Sequence, residues 1–211
     1  MRRQEYRDQK ALQWLHHIRN EELKAAIRFF PSEKDIRILE IGGGEGYIAK
    51  CISDMDYDVT SIDIEPIFPQ LYPVLEVDAS RLNFSSETFD VVFSCQVLQH
   101  IKDLELTFQE IKRVLKKDGI IIHTVPTTWW RLITCSAIPL GTTSPTSIHE
   151  IYFFARFFWN KLFKRNGFQI ICVENGPYLY SGYLIFKMCF LKFRKFMAKY
   201  FPASYCYVLK K

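Results

Sequence analysis

Several things missing from this sequence narrow its chemistry before any motif is considered. No two of the six cysteines stand close enough to pair as ligands, and no cysteine–histidine cluster has zinc spacing. Cysteines such as Cys95, in Phe93-Ser94-Cys95, have apolar neighbours, where a free thiol behaves as a small hydrophobe. Long apolar runs are missing too. A membrane span needs about 20 apolar residues, whereas the run 132–140 stops at Gly141 and the run 179–191 is broken by Lys187. Residues 1–10 are charged and no apolar stretch follows, so no secretory leader is expected. With the unpaired cysteines, this predicts a cytoplasmic location. There is no internal repeat and no low-complexity linker, and 211 residues suit a single domain, 1–211.

Acids are scarce at one end. Residues 152–211 contain eleven Lys/Arg and one acid, Glu174, for a net +10, and residues 1–151 carry −5. A mildly basic chain is therefore an acidic body with a basic, aromatic tail. On a helical wheel Phe186, Cys189, Phe190, Phe193, Phe196, Met197, Tyr200 and Phe201 fall within about 140°. Lys187, Lys192, Arg194, Lys195 and Lys199 lie opposite, with Met188 and Leu191 intruding, and Pro202 ends the pattern. The stretch 178–201 thus reads as an amphipathic insertion, and 184–201 suits an anionic membrane surface at the inner face of the cytoplasmic membrane. An ordinary helix packed on a sheet with its lysines in water has the same pattern. An RNA-binding tail fits the charge, but it needs rings interleaved with the basic face, and here they segregate.

Along the chain, strand and helix signals alternate. Residues 1–31 read as an N-terminal helix, with Leu12, Leu15, Ile18, Leu23, Ile27 and Phe30 near helical spacing and Pro31 closing it. Strands are expected at 36–41, 58–62, 73–77, 89–94 and 119–125, and helices at 47–53 and 104–115. Lys116-Lys117-Asp118-Gly119 reads as a helix stop with basic charge and a glycine. A helix over 150–165, with Tyr152, Phe153, Phe154, Phe157, Phe158 and Phe163 in the core, precedes a strand at 168–174. Near-continuous apolar strands alternating with helices imply an α/β fold, its mostly parallel sheet covered by helices on both faces. Ligands in such sheets sit beyond the carboxyl ends of the strands. Glu40, Asp63, Asp78 and the Ser94-Cys95 turn all fall at those ends.

The first strand runs into Gly42-Gly43-Gly44-Glu45-Gly46. This is not the G-x-G-x-x-G of dinucleotide sites, and Glu40 beside it would repel a pyrophosphate. An acid there suits a ligand with an ammonium group. Asp63 can accept two hydrogen bonds from a ribose diol, and Asp78 can accept from an exocyclic amine such as that of adenine. Ammonium, ribose and adenine in that order describe S-adenosylmethionine.

The stretch 36–125 resembles the class I S-adenosylmethionine-dependent methyltransferases, close to the type 11 group. The likeness rests on Ile38-Leu39-Glu40-Ile41-Gly42-Gly43-Gly44-Glu45-Gly46, Ser61-Ile62-Asp63-Ile64, Val77-Asp78-Ala79 and Phe89 through His100. It implies a Rossmann-like, seven-stranded sheet whose seventh strand, at 205–209, is antiparallel. It also implies that Gly42, Gly43 and Gly44 pack on the methionine moiety and that Glu40 helps hold its amino group. Asp63, followed by Ile64, would bind the ribose. Asp78 and the Ala79 backbone would bind the adenine, and Cys95 would line the cofactor. One departure is Gln99, where the family usually has Glu before the final His of the fourth-strand motif.

The methyl acceptor leaves a fainter trace. An alcohol or phenol acceptor needs a base with a pKa near working pH, which makes histidine the search target. His149, beside Glu150 in a loop after the fifth strand, is the proposed base; a helix-start residue beside a first-turn acid is the plain alternative. His100 reads as structural and His123 as a hydrogen-bonded core histidine, while His17, Arg7 or Arg19 reads either as a cation for the methionine carboxylate or as part of a solvated helix face. Trp129 and Trp130 open a 129–147 cap over the acceptor, lining it or anchoring the cap in the core. There is no Asn/Asp-Pro-Pro-Tyr after the fourth strand, no Pro-Cys pair and no acid cluster for magnesium, so no metal is expected.

The expectation is O-methylation of a small-molecule or lipid-linked acceptor. RNA methylation and a cofactor-binding protein without turnover remain as alternatives.

Overall fold

The computed structural model describes residues 9–128, 155–176, 200 and 202–211. Its elements are α1 (Gln9–Ile27), β1 (Arg37–Ile41), α2 (Tyr47–Ser53), β2 (Asp58–Asp63), β3 (Val74–Glu76), β4 (Phe89–Cys95), α3 (Leu104–Val114), β5 (Leu115–Pro126), α4 (Arg156–Arg165), β6 (Gln169–Asn175) and β7 (Ser204–Lys210). The strands make one seven-stranded sheet in the order β3-β2-β1-β4-β5-β7-β6. The first five pair in parallel, and β7 pairs antiparallel with both β5 and β6. The class read from the sequence, a Rossmann-like sheet with an antiparallel seventh strand, is the one observed.

The apolar strands are continuous because both sheet faces are covered. Ile38, Val91, Phe93 and Ile122 pack with Leu23 and Ala26 of α1 and with Ile48, Ala49 and Ile52 of α2. Their sequence neighbours Leu39, Val92 and Ile121 pack on the other face with Phe108 and Ile111 of α3 and Trp159 and Phe163 of α4. Alternate residues of one strand therefore serve opposite cores. Helix α3 has local support as well: the Asp103 side chain accepts from the Leu106 N–H at 3.0 Å, Glu105 sits in the first turn, and Lys112 and Arg113 sit in the last.

Two expectations are corrected. The segment 116–119 is not a helix stop, because the chain enters β5 at Leu115 directly after α3. Phe89 pairs with Leu115 and Val91 with Ile120, so a bulge absorbs the extra residues. Lys116 Nζ donates to both Asp90 carboxylate oxygens at 2.8 Å, and burial opposed by this lysine and the Arg37 backbone N–H leaves Asp90 below its ordinary pKa. Gly119 serves close packing: a Cβ there would lie 2.7 Å from Leu115 Cδ1 and 2.9 Å from the Asp90 carbonyl. The second correction concerns α4, where Phe157 is 69% exposed and Trp159, absent from the expected core, is fully buried.

Strand order reverses between β1 and β4, since β1 carries β2 on one side and β4 on the other. That reversal opens a crevice at the carboxyl ends of these strands. Register brings the ends level, with Ile41 beside Ile62 and Ser94, and Ser94 beside His123.

Candidate functional site

The glycine loop leaves β1 by turning over the end of β2. Gly42 and Gly43 donate to the Ile62 carbonyl at 2.7 and 2.9 Å, and Gly44 N–H donates to Asp63 Oδ2 at 2.9 Å. Two positions admit no side chain. At Gly42, with φ +84°, a Cβ would lie 2.2 Å from Val97 Cγ2; at Gly43 it would lie 2.0 Å from Ser61 Oγ. The loop thus presents bare backbone over the crevice.

Beneath Gly43 lies Glu40, buried, its Oε2 accepting from Ser61 Oγ at 2.6 Å. Burial pushes its carboxyl up to about 7, against the pull of the Ser61 hydroxyl and the Arg19 charge. Asp63 is also buried; besides Gly44, its Oδ1 accepts from the Glu65 N–H at 3.0 Å, which fixes the carboxylate at the end of β2. The Val77 N–H bonds the Asp63 carbonyl at 3.0 Å, bringing Asp78 beside this strand end. Asp78 is exposed, and its Oδ1 accepts from the backbone and hydroxyl of Ser80, both at 2.8 Å; Ala79 is buried. Ile64 is 66% exposed, an apolar surface open beside Asp63.

Helix α1 closes the crevice from above. His16 Nε2 lies 2.5 Å from Glu45 Oε1, and its ring stacks on Tyr47 with centroids 3.9 Å apart. Further along, Glu22 is fully buried over the end of β4. Its Oε2 accepts from Arg19 Nη1 at 3.1 Å and Cys95 Sγ at 2.8 Å, and its Oε1 accepts from Gln96 Nε2 at 2.6 Å. Burial, then the facing Glu22 charge, raises the Cys95 thiol well above its ordinary pKa, so it is a neutral donor. Gln96 has φ +58°, a strained conformation for a residue with a side chain, and its N–H bonds the Thr124 carbonyl at 2.9 Å.

The structure therefore brings together Glu40, Gly42, Gly43, Gly44, Asp63, Asp78 and Cys95, all expected from the sequence. Of the three cations proposed for a carboxylate, Arg19 is at the site, His17 is exposed on α1, and Arg7 lies outside the described residues. His149, the 129–147 cap and the 178–201 insertion, apart from Tyr200, also lie outside them. His123 is buried as expected and bonds Ser94 Oγ through Nδ1 at 2.7 Å, but its Nε2 has no hydrogen-bond partner among the described residues. No role at the site was read for Ser61, Glu22, Gln96 or the His16–Tyr47 stack. Glu22 had a signal: it lies four residues from both Ile18 and Ala26, an acid in an apolar stripe. Ser61 had none, since it faces Glu40 only through strand register.

Residues 14–173 match the family model described as methyltransferase domain. The chain belongs to the methyltransferase domain family. The uncharacterized methyltransferase YodH of Bacillus subtilis is 28% identical over 161 residues, 69% of this chain and 65% of that protein. A probable S-adenosylmethionine-dependent methyltransferase of Mycobacterium tuberculosis is 29% identical over 97 residues, 42% of this chain. The domain thus spans 65% and 35% of the lengths of these two relatives. A solved methyltransferase of Archaeoglobus fulgidus superposes with TM-score 0.67 at 14% identity, over 97% of this chain and all of that one. The [4+2]-cyclase SpnF superposes with TM-score 0.60 at 16% identity, over 99% of this chain and 85% of that one. At such identity the likeness is one of fold.

Family and fold imply S-adenosylmethionine as the cofactor, and the residues fit it. Gly42 and Gly43 pack so closely on Val97 and Ser61 that the loop is backbone alone, an acid stands at the end of β2, and a cation, Arg19, and a buried carboxyl, Glu40, flank the loop.

Proposed function

We propose that this domain transfers a methyl group from S-adenosylmethionine to an oxygen of a small-molecule or lipid-linked acceptor. One observation carries the cofactor half: bare glycine backbone faces the crevice between Asp63 and the Arg19–Glu22 pair of α1. Gly42, Gly43 and Gly44 would hold the methionine moiety, Arg19 its carboxylate, Asp63 the ribose, and Asp78 with Ala79 the adenine edge, while Ile64 and Cys95 line the pocket. When bound, the cofactor supplies an electrophilic methyl carbon on a sulfonium. The remaining contribution of the chain is to position an acceptor oxygen in line and take its proton.

Support for oxygen as the acceptor atom comes from one distant relative and from the β4 end. A malonyl-acyl-carrier-protein O-methyltransferase of Legionella pneumophila is 26% identical over 100 residues, 42% of this chain. The Ser94-Cys95-Gln96-Val97 turn has none of the Pro-Pro-Tyr or Pro-Cys chemistry that serves nitrogen or ring carbon. His149 is the proposed base. Glu22 is ill suited to the task, because donors from Arg19, Cys95 and Gln96 already occupy both of its carboxylate oxygens. The lipid-linked reading includes docking of 184–201 on an anionic bilayer, checked by salt-sensitive sedimentation with phosphatidylglycerol vesicles.

The test is incubation with methyl-labelled S-adenosylmethionine and cell extract, followed by counting of lipid, small-molecule, RNA and protein fractions. Label is expected in the first two. Label confined to RNA refutes the acceptor reading. Tight cofactor binding with no label anywhere favours the second reading, a non-transferring role of the kind that a cyclase on this fold illustrates. Asp63→Asn should weaken S-adenosylhomocysteine binding by about 10- to 100-fold, the usual cost of a lost charged hydrogen bond. Unchanged affinity refutes the ribose assignment.

A further inference from the structure

We propose that Ser61 is a positioning residue: its hydroxyl holds the Glu40 carboxylate beneath Gly43, and the pair makes the pocket select ligands with a cationic amino terminus. The inference rests on the cofactor reading above and assigns a role within it.

Ser61 and Glu40 are register partners on parallel strands, so their side chains emerge on the same side of the sheet. Both are buried, at 1% and 2% exposure, and 2.6 Å separates Ser61 Oγ from Glu40 Oε2. They sit directly against the loop backbone: a Cβ on Gly43 would lie 2.0 Å from Ser61 Oγ and 3.2 Å from Glu40 Oε2. Only the Gly43 backbone therefore lies over the Ser61–Glu40 pair on this side of the loop. A buried anion there acts through a medium of low dielectric, where its attraction for an ammonium group is stronger than in water.

The charged and titratable groups around Glu40 are few. From α1 it faces Arg19, from β2 Asp63, and from α2 Cys51, while the Ala49 backbone also bonds it. Phe93, its register partner on β4, is apolar. Burial is the largest influence and favours the neutral acid, and the Ser61 hydroxyl is the first of the groups opposing it. Removing that hydroxyl tips the balance toward protonation, and the ammonium loses its counter-charge.

The experiment measures affinity for two probes by calorimetry between pH 6.0 and 7.5. S-adenosylhomocysteine carries the amino acid end; 5′-methylthioadenosine has the same nucleoside without it. With Glu40 titrating at about 7, wild-type affinity for S-adenosylhomocysteine falls about eightfold from pH 7.5 to 6.0. A shift of roughly one further unit in Ser61→Ala makes binding about threefold weaker than wild type at pH 7.5 and about ninefold weaker at pH 6.0. Glu40→Gln, a second variant with the carboxylate removed, binds weakly with a flat profile. Methylthioadenosine binding stays within about twofold across all three proteins, a pattern that general loosening of the loop would not produce.

A flat wild-type profile, or parallel losses for both probes, overturns the proposal. Binding of neither probe by the wild type overturns instead the cofactor reading on which it stands.

Discussion

Gly43→Ala tests the packing of the loop floor directly. Gly43 does not sit at positive φ, so the cost of a side chain there is steric rather than conformational. The new methyl would lie 2.0 Å from Ser61 Oγ, a distance no real contact tolerates, and 3.3 Å from Ser61 Cβ. The hydroxyl must swing away and give up its 2.6 Å bond to Glu40. Losing a hydrogen bond to a buried charged group costs about 1.5–3 kcal/mol. Overpacking of the remaining contacts adds about 1–3 kcal/mol. The single variant should therefore lose about 2.5–6 kcal/mol of stability. Ser61→Ala alone should lose about 1.5–3 kcal/mol, since it breaks the same bond. In the Ser61→Ala background the hydrogen bond is already absent and the worst clash is gone. Gly43→Ala then costs only the residual crowding against Ser61 Cβ and Glu40, about 1–2 kcal/mol. Urea unfolding of the four proteins at pH 7.5, with equal m-values, closes the cycle. A coupling of about 1.5–3 kcal/mol is expected, and additivity within about 0.5 kcal/mol refutes the reasoning.

Two further predictions follow from buried side chains. Burial pushes His123 down to about 3 from its ordinary 6.5, so the unfolded chain binds the proton more readily and stability contributed at neutral pH is lost as pH falls below 6.5. Glu40 works oppositely, its raised value making the folded chain the better proton binder between 4.5 and about 7. The two partly cancel in wild type, so the measurement is the stability difference between wild type and His123→Gln. That difference should move in favour of wild type by about 2 kcal/mol from pH 5 to 7, and a constant difference refutes it. In α4, Trp159→Ala should cost about 3–5 kcal/mol because the ring is fully buried. Phe157→Ala, two residues away at 69% exposure, should stay within about 0.5 kcal/mol. Equal effects in thermal melts contradict the assignment of faces.

Legibility followed the range of the interactions concerned. Strand positions were readable because each buried strand is a run of β-branched and apolar residues bounded by polar ends. Asp63 and Asp78 were readable because their place is set by where a strand stops. Phe157 and Trp159 were not sorted correctly, since the aromatic-rich helix has more rings than its buried face can hold, and the wheel alone does not say which face meets the sheet. The β5 start was misread for a similar reason. Lys116 and Lys117 look like a basic helix end, yet Lys116 is satisfied by Asp90 on the neighbouring strand, a partner 26 positions away that no local pattern reveals.

The sequence by itself determined the fold class, the glycine loop and the acids at the strand ends, because all of these are properties of short consecutive stretches. Tertiary structure decided what surrounds them. Strand register put Ser61 against Glu40, and the docking of α1 put Glu22 over Cys95 and Gln96 and put His16 on Tyr47. The opening absences sharpen accordingly. The cysteines bind no closely spaced partner in the sequence, but Cys95 is bound in space, as a neutral donor to a carboxylate 73 positions away. A buried acid needs its donors wherever the chain supplies them, and only the folded chain shows where that is.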